Sequence, residues 1–281
     1  MQNTSKPTVG IALGGGGAKG LAHVCMLEVL DELRVRPKMI AGTSVGAIMG
    51  TAYAAGIAAV EMREALNELT AVPKSFGDLF EAKQLFGWLD LIDIDIGRNS
   101  LLQVDKFLTG FGQAIGVECF EELTTPVKVV AADFWARKQV VFDSGEIIPA
   151  VAASFALPGI FQPVVLDGRV LVDGGAVNPL PFDLLREECD IVIAVNVMGH
   201  RTPSSEDLLP SYTETVFNTF QIASAAILAE KFKTAPPDIY VDVEVYDVKV
   251  LDFHKADRIY AQALPAQQQL RSELAARLEL G

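Results

Sequence analysis

Met39-Ile40-Ala41-Gly42-Thr43-Ser44-Val45-Gly46-Ala47-Ile48 is the stretch that decides how this chain is read. A short apolar run ends at Gly42-Thr43, a serine follows with a glycine two residues to either side, and Val45 to Ala55 has the Ala/Val/Ile content of a buried helix. The pattern is strand, sharp turn, helix, with G-x-S-x-G at the turn. In such an elbow the serine takes a strained backbone conformation, and the flanking glycines are needed because a Cβ there would collide with the neighbouring turn. Ser44 therefore reads as a nucleophile; the other reading is a serine that N-caps the helix. Met39 to Val60 carries no charge over 22 positions, by length enough to span a hydrocarbon core of about 30 Å. Its Ala, Gly and Thr content and its central turn suit instead the buried strand and helix of an α/β core.

The same arrangement stands just upstream. Val9 to Leu13 is apolar, Gly14-Gly15-Gly16-Gly17-Ala18-Lys19-Gly20 follows, and Leu21, Val24, Leu27 and Leu30 then recur at helical spacing within Ala18 to Arg34. Gly15, Gly17 and Gly20 satisfy G-x-G-x-x-G. A dinucleotide site would need an acidic residue at the end of the second strand, where Ala41-Gly42-Thr43 stands, and a P-loop would need Gly-Lys-Ser/Thr. What remains is backbone N–H groups turned toward one point at a helix N-terminus, a place that favours a phosphate or an oxyanion. Glycines that serve only tight strand-to-helix packing are the alternative. A side chain at Gly16 is expected to cost activity more than stability.

Further strands are expected at Val127 to Ala132, Gln139 to Phe142, Val164 to Leu166, Val170 to Val172 and Ile191 to Val197. Helices are expected at Val60 to Thr70, Ile147 to Ala156, Tyr212 to Lys233 and Lys255 to Leu280. Interleaved strands and helices predict a mainly parallel sheet covered on both faces, with hairpin strands near its edge. At 281 residues, one domain over residues 1–281 is expected. Phe86 to Leu102 and Gly199 to Ser211 read as irregular, the second as a mobile rim of the site.

A serine nucleophile requires a base. His23, His200 and His254 are the chain's three histidines, and none is placed convincingly for a triad. Asp173-Gly174-Gly175 follows the apolar strand Val170 to Val172, and two glycines leave the carboxylate unshielded. A buried carboxylate with a raised pKa can take a proton from a serine directly; a plain hairpin turn is the other reading. Ser154 is the second serine to consider as nucleophile.

Gly-Gly-Gly-Ala-Lys-Gly (15–20), Gly-Thr-Ser-Val-Gly (42–46) and Asp-Gly-Gly (173–175), in this order, resemble the signature blocks of the patatin-like phospholipase family in its compact bacterial form. Ala153 to Phe161 resembles a segment such proteins carry before the aspartate, so the likeness covers Val9 to about Val197 and, weakly, the C-terminal helices within 212–280. It implies a three-layer α/β/α fold with a mainly parallel central sheet. It further implies Ser44 as the acyl-forming nucleophile, Asp173 as its partner, and the amides of Gly15, Gly16 and Gly17 as the oxyanion hole. Gly20, Gly42, Gly46, Gly174 and Gly175 would support the motifs. Lys19 stands where the family often has Arg, and Gly175 where many members have Ala.

The expected function is a serine acyl hydrolase of lipid esters, of phospholipase A, lysophospholipase or carboxylesterase type. An acyltransferase, a thioesterase and a non-enzymatic lipid- or protein-binding adaptor are the alternatives. No cofactor or metal is expected; Asp93-Ile94-Asp95-Ile96-Gly97 mimics part of a calcium loop but lacks its closing Glu. With 36 acidic and 23 basic residues the charge is −13, the wrong sign for gripping nucleic acid. Cys25, Cys119 and Cys189 lack metal or disulfide spacing, and the N-terminus is polar, so a cytoplasmic location is expected. No transmembrane segment is expected. Leu270, Leu274 and Leu278 form a stripe better suited to packing on the sheet than to lying on a membrane, so membrane contact is at most transient.

Overall fold

Short, nearly continuous apolar runs covered on both faces build the centre of the sheet, and the computed structural model describes residues 7–70, 99–200, 209–210 and 212–279. Its strands are β1 (Val9–Leu13), β2 (Met39–Thr43), β3 (Val127–Asp133), β4 (Lys138–Phe142), β5 (Val164–Leu166), β6 (Arg169–Asp173), β7 (Ile191–Asn196) and β8 (Ile239–Asp242). They lie in the order β5-β6-β3-β2-β1-β7-β8, with β4 also paired to β3. β3-β2-β1-β7-β8 are parallel, whereas the β3–β4, β3–β6 and β5–β6 pairings are antiparallel. β1, β2 and β7 are buried almost throughout, as central parallel strands must be.

The helices are α1 (His23–Glu32), α2 (Val45–Ala54), α3 (Ala59–Thr70), α4 (Asn99–Ile115), α5 (Ile147–Phe155), α6 (Tyr212–Thr234) and α7 (Ala256–Arg277). One sheet face, with Ile11, Leu13, Ile40, Ile193 and Val195, packs in one apolar cluster with residues of α1, α2, α3, α5 and α7. The other face, with Ala12, Ala41, Val192 and Ala194, packs on Leu180, Phe182, Leu185 and Leu228 of α6. Three layers, α/β/α, result. Leu270 and Leu274 are buried in the main core, which is what the leucine stripe of the last helix is for.

Two elements depart from the sequence reading. Asn99–Ile115 is helical, so residues 99–102 of the stretch read as irregular are its first turn, while 86–98 lie outside the described residues. β8 was not expected: Ile-Tyr-Val-Asp is four residues long, and its place beside β7 makes it a strand. Asp93–Gly97, and residues 201–208 and 211 of the expected rim, also lie outside the described residues. No described helix is long and apolar enough to cross a membrane.

Candidate active site

The topology itself brings Ser44 and Asp173 together. β3 pairs with parallel β2 as far as Thr43↔Val130, then with antiparallel β6 from Ala131↔Asp173. Because β2 and β6 run in opposite directions along one edge of β3, their C-terminal ends meet head to head at Val130-Ala131. The residue after β2 and the last residue of β6 must therefore be neighbours.

Ser44 sits at φ 58°, ψ −126°, a conformation costing a non-glycine residue about 1–3 kcal/mol. The close fit around it explains the motif: a Cβ on Gly46 would lie 2.1 Å from the Leu13 carbonyl oxygen, and one on Gly42 2.6 Å from Ala47 Cα. The hydroxyl makes no capping bond to α2. It donates instead to Asp173 Oδ2 at 2.5 Å. Asp173 is buried, and its Oδ1 accepts the Gly175 N–H at 2.7 Å. Burial pushes its pKa from 3.8 up to about 6, against the opposing pull of the bonds from Ser44 and Gly175.

The glycine loop closes the pocket opposite the carboxylate. Gly14 and Gly15 donate to the carbonyls of Val195 and Pro179, and Ala18 to that of Val250. The amides of Gly16 and Gly17 have no hydrogen-bond partner among the described residues. They border a pocket shared with Ser44, Asp173, Leu157, Met198 and, on α6, Phe217 and Phe220. Two unengaged amides on residues that line the same pocket as a hydroxyl–carboxylate pair are candidates to receive negative charge developing on an oxygen.

Comparison with known proteins places the chain in a family. The sequence profile of patatin-like phospholipases matches residues 11–186, more than half of the chain. The chain belongs to the patatin-like phospholipase family. It is 32% identical over 228 residues to an uncharacterized NTE family protein of Mycobacterium bovis, covering 81% of this chain and 59% of that protein. It is 26% identical over 279 residues to lysophospholipase NTE1 of Kluyveromyces lactis, covering 91% of this chain and 18% of that protein. The chain thus spans less than two thirds of the length of these relatives. VipD from Legionella pneumophila shares the fold at a TM-score of 0.52 and 15% identity, covering 94% of this chain and 67% of that one.

None of the three histidines is hydrogen-bonded to Ser44 or Asp173. His23 is buried, its Nε2 bonded at 2.8 Å to the Gly14 carbonyl oxygen, and burial lowers its pKa to about 4. A neutral ring that donates to Gly14 ties the first helix to the glycine loop. His200 stacks on Tyr246, and His254 is exposed ahead of α7.

Three residues differ from their sequence-based roles. Gly15 cannot offer its amide to an oxyanion, because that amide is held by Pro179 at 3.1 Å. A Cβ on Gly16 would lie 2.5 Å from the Val197 carbonyl oxygen, so a side chain there disturbs packing as directly as it disturbs the pocket. Ser154 has its hydroxyl engaged on both sides: it is buried on α5, donates to the Val130 carbonyl at 2.6 Å and accepts the Ser44 N–H at 2.8 Å. The remaining glycines hold close approaches, with a Cβ on Gly20 falling 2.2 Å from Val45 Cγ1 and one on Gly174 2.2 Å from the Val130 oxygen. Gly175 is less confined, its Cβ position 3.0 Å from Asp173 Oδ1.

Two outcomes are expected from these contacts. Ser154→Ala removes the acceptor that fixes the strained Ser44 backbone, so kcat should fall about tenfold with KM unchanged, since nucleophile alignment rather than binding is lost; steady-state kinetics on a soluble ester reads the split. Gly15→Ala puts a Cβ 3.3 Å from Ser44 Cβ and displaces Ser44 by a few tenths of an ångström. It should lower kcat several-fold while thermal denaturation stays close to wild type.

Proposed function

We propose that this chain is a serine acyl hydrolase of lipid esters, acting through an acyl-serine formed on Ser44 with Asp173 as its base. The 2.5 Å bond from Ser44 Oγ to a buried carboxylate carries the reading. As Oγ attacks the ester carbonyl, its proton passes to Asp173 Oδ2. The carbonyl oxygen gains charge opposite the Gly16 and Gly17 amides, each such donor being worth about 3 kcal/mol to the transition state. Collapse expels the alcohol, which takes the proton from Asp173. A water then attacks the acyl-serine, Asp173 accepts its proton, and Ser44 is restored. Every bond made and broken is served by this chain's own groups, so the cycle calls for no cofactor.

Leu157, Met198, Phe217 and Phe220 offer an apolar wall to an acyl chain. The lysophospholipase named among the relatives supports a lipid ester as substrate. The pocket measures only about 30 Å³, so a long acyl chain requires it to widen. We take residues 1–281 as one catalytic unit, and the three unpaired thiols support a reducing, cytoplasmic setting. A fluorophosphonate probe should label Ser44, identified by peptide mass, and a panel of short- and long-chain esters should be hydrolysed. No labelling of an otherwise folded protein would favour the adaptor reading, and transfer of the acyl group to added glycerol or coenzyme A would favour a transferase.

A further inference from the structure

The two hairpins beside the catalytic aspartate end in an apolar row that nothing among the described residues covers. Phe134, directly after β3, donates its N–H to the Val170 carbonyl of β6, and Val170 lies opposite Val165 of β5. Residues opposite one another on antiparallel strands share a face, so Phe134, Val170 and Val165 form one row. Leu171, Val164 and Leu166 pack inward on the other side with Ala153 of α5. Phe134 is 51% exposed, Val165 73%, and Trp135, set edge-on against Phe134, 75%. This is the largest concentration of exposed aromatic surface in the described residues, and it is far out of keeping with a buried hairpin.

Its position relative to the site is fixed by the sheet. Val130 is level with Thr43, and β3 runs on past it toward the side where Ser44 and Asp173 lie. β3 continues to Asp133, roughly 10 Å beyond that level at the usual rise per strand residue, and Phe134 and Trp135 lie in the turn past its end. The hairpin tips thus project past the catalytic pair on the sheet's C-terminal side.

The charge around the row is also distinct. Arg137, Lys138 and Arg169 are exposed at the two tips, against Asp133 and Asp167. Asp133 turns one oxygen inward to the amides of Trp135 and Ala136. The three cations are in no ion pair among the described residues. The tips therefore carry a net charge of +1 (three cations less two acids) on a chain of −13. Aromatic rings flanked by Arg and Lys match the boundary between acyl chains and headgroup phosphates, where rings bury their faces and cations meet phosphate oxygens.

We propose that the β3–β4 and β5–β6 tips dock on a phospholipid bilayer, with Phe134, Trp135 and Val165 entering the interface and Arg137, Lys138 and Arg169 at phosphate level. Docking there turns the side of the sheet that bears Ser44 toward its lipid. The proposal rests on the lipid-ester reading but is tested apart from it.

The test uses the full chain with Ser44→Ala, so that vesicles are not consumed, and with Trp88→Phe, leaving Trp135 as the sole tryptophan. Phosphatidylcholine vesicles should bind this protein on sedimentation and shift its Trp135 fluorescence to the blue. Phe134→Ser with Val165→Ser should weaken binding at least about tenfold, as expected for withdrawing two large apolar side chains from the interface. Arg137→Glu with Arg169→Glu should weaken it further, most strongly on vesicles that include phosphatidylserine. In a chain retaining Ser44, the same tip variants should hydrolyse a water-soluble short-chain ester at the wild-type rate. No vesicle binding, or equal binding by the tip variants, overturns the docking proposal. A self-associating protein whose dimer is broken by Phe134→Ser overturns it in favour of a second copy on this face. Failure of the wild-type chain on the soluble ester would instead overturn the functional reading, and leave vesicle binding to be judged separately.

Discussion

Ser44→Ala is expected to reduce ester hydrolysis by roughly four orders of magnitude or more, the scale on which removal of an acyl-forming nucleophile acts. Fluorophosphonate labelling should vanish with it. The fold should survive, because the hydroxyl makes one described bond, to Asp173, and caps nothing on α2. Alanine inherits the positive φ of 58° and the strain that accompanies it. Glycine at the same position escapes that strain, so Ser44→Gly should melt higher than Ser44→Ala by about 1 kcal/mol of stability while being equally inactive. A melting experiment on the two variants checks the strain, and single-turnover hydrolysis checks the nucleophile. Residual hydrolysis above a few per cent would place the nucleophile elsewhere.

The parts of the site that could be read from the sequence are those fixed by contacts close along the chain. Gly42 and Gly46 are forced by the turn around Ser44, and Gly20 by the approach of the first helix to Val45, so the motifs announce a strained elbow and a tight loop. Asp173 is marked by an apolar strand ending in two glycines. The partnership of Ser44 with Asp173 is different, since it arises where β3 exchanges β2 for β6 at Val130-Ala131, and no local pattern encodes that exchange. The same is true of the Gly15 amide, which is lost to Pro179, a residue 164 positions away. Ser154 was visible as a serine in a recognisable block, yet its task depends on the Ser44 amide and the Val130 carbonyl converging on one hydroxyl. The pocket wall on α6 gave no signal because apolar residues occur all round that helix: Phe217 and Phe220 face the pocket while Ile222 is exposed. β8 failed for a simpler reason, since Ile239–Asp242 is too short to show alternation and takes its strand form from β7.

Asp173→Asn is expected to be nearly as damaging to turnover as loss of the nucleophile, and opposite in sign for stability. An amide cannot accept the serine proton, and withdrawing a general base costs about 10²–10⁴ in rate. The carboxylate must be ionised to act, so wild-type kcat/KM should rise through about pH 6 and level off above it. The folded-state pKa lies above the ordinary 3.8, which means the folded protein holds a proton that the unfolded chain has released between those values. Stability from this group is therefore fully present below about pH 4 and is lost as the pH rises through 6. A displacement of about two pH units, already net of the opposing bonds from Ser44 and Gly175, corresponds to about 3 kcal/mol. Asparagine has no charge to bury, so Asp173→Asn should match wild type in chemical denaturation near pH 4 and exceed it by up to about 3 kcal/mol at pH 8. Burial raises the pKa of the base into the working range, and the destabilisation above pH 6 is the same interaction seen from the folding equilibrium. A variant less stable than wild type at pH 8, or a wild-type activity profile flat from pH 5 to 8, would mean that Asp173 is held ionised by its hydrogen bonds and that burial is not what sets its proton affinity.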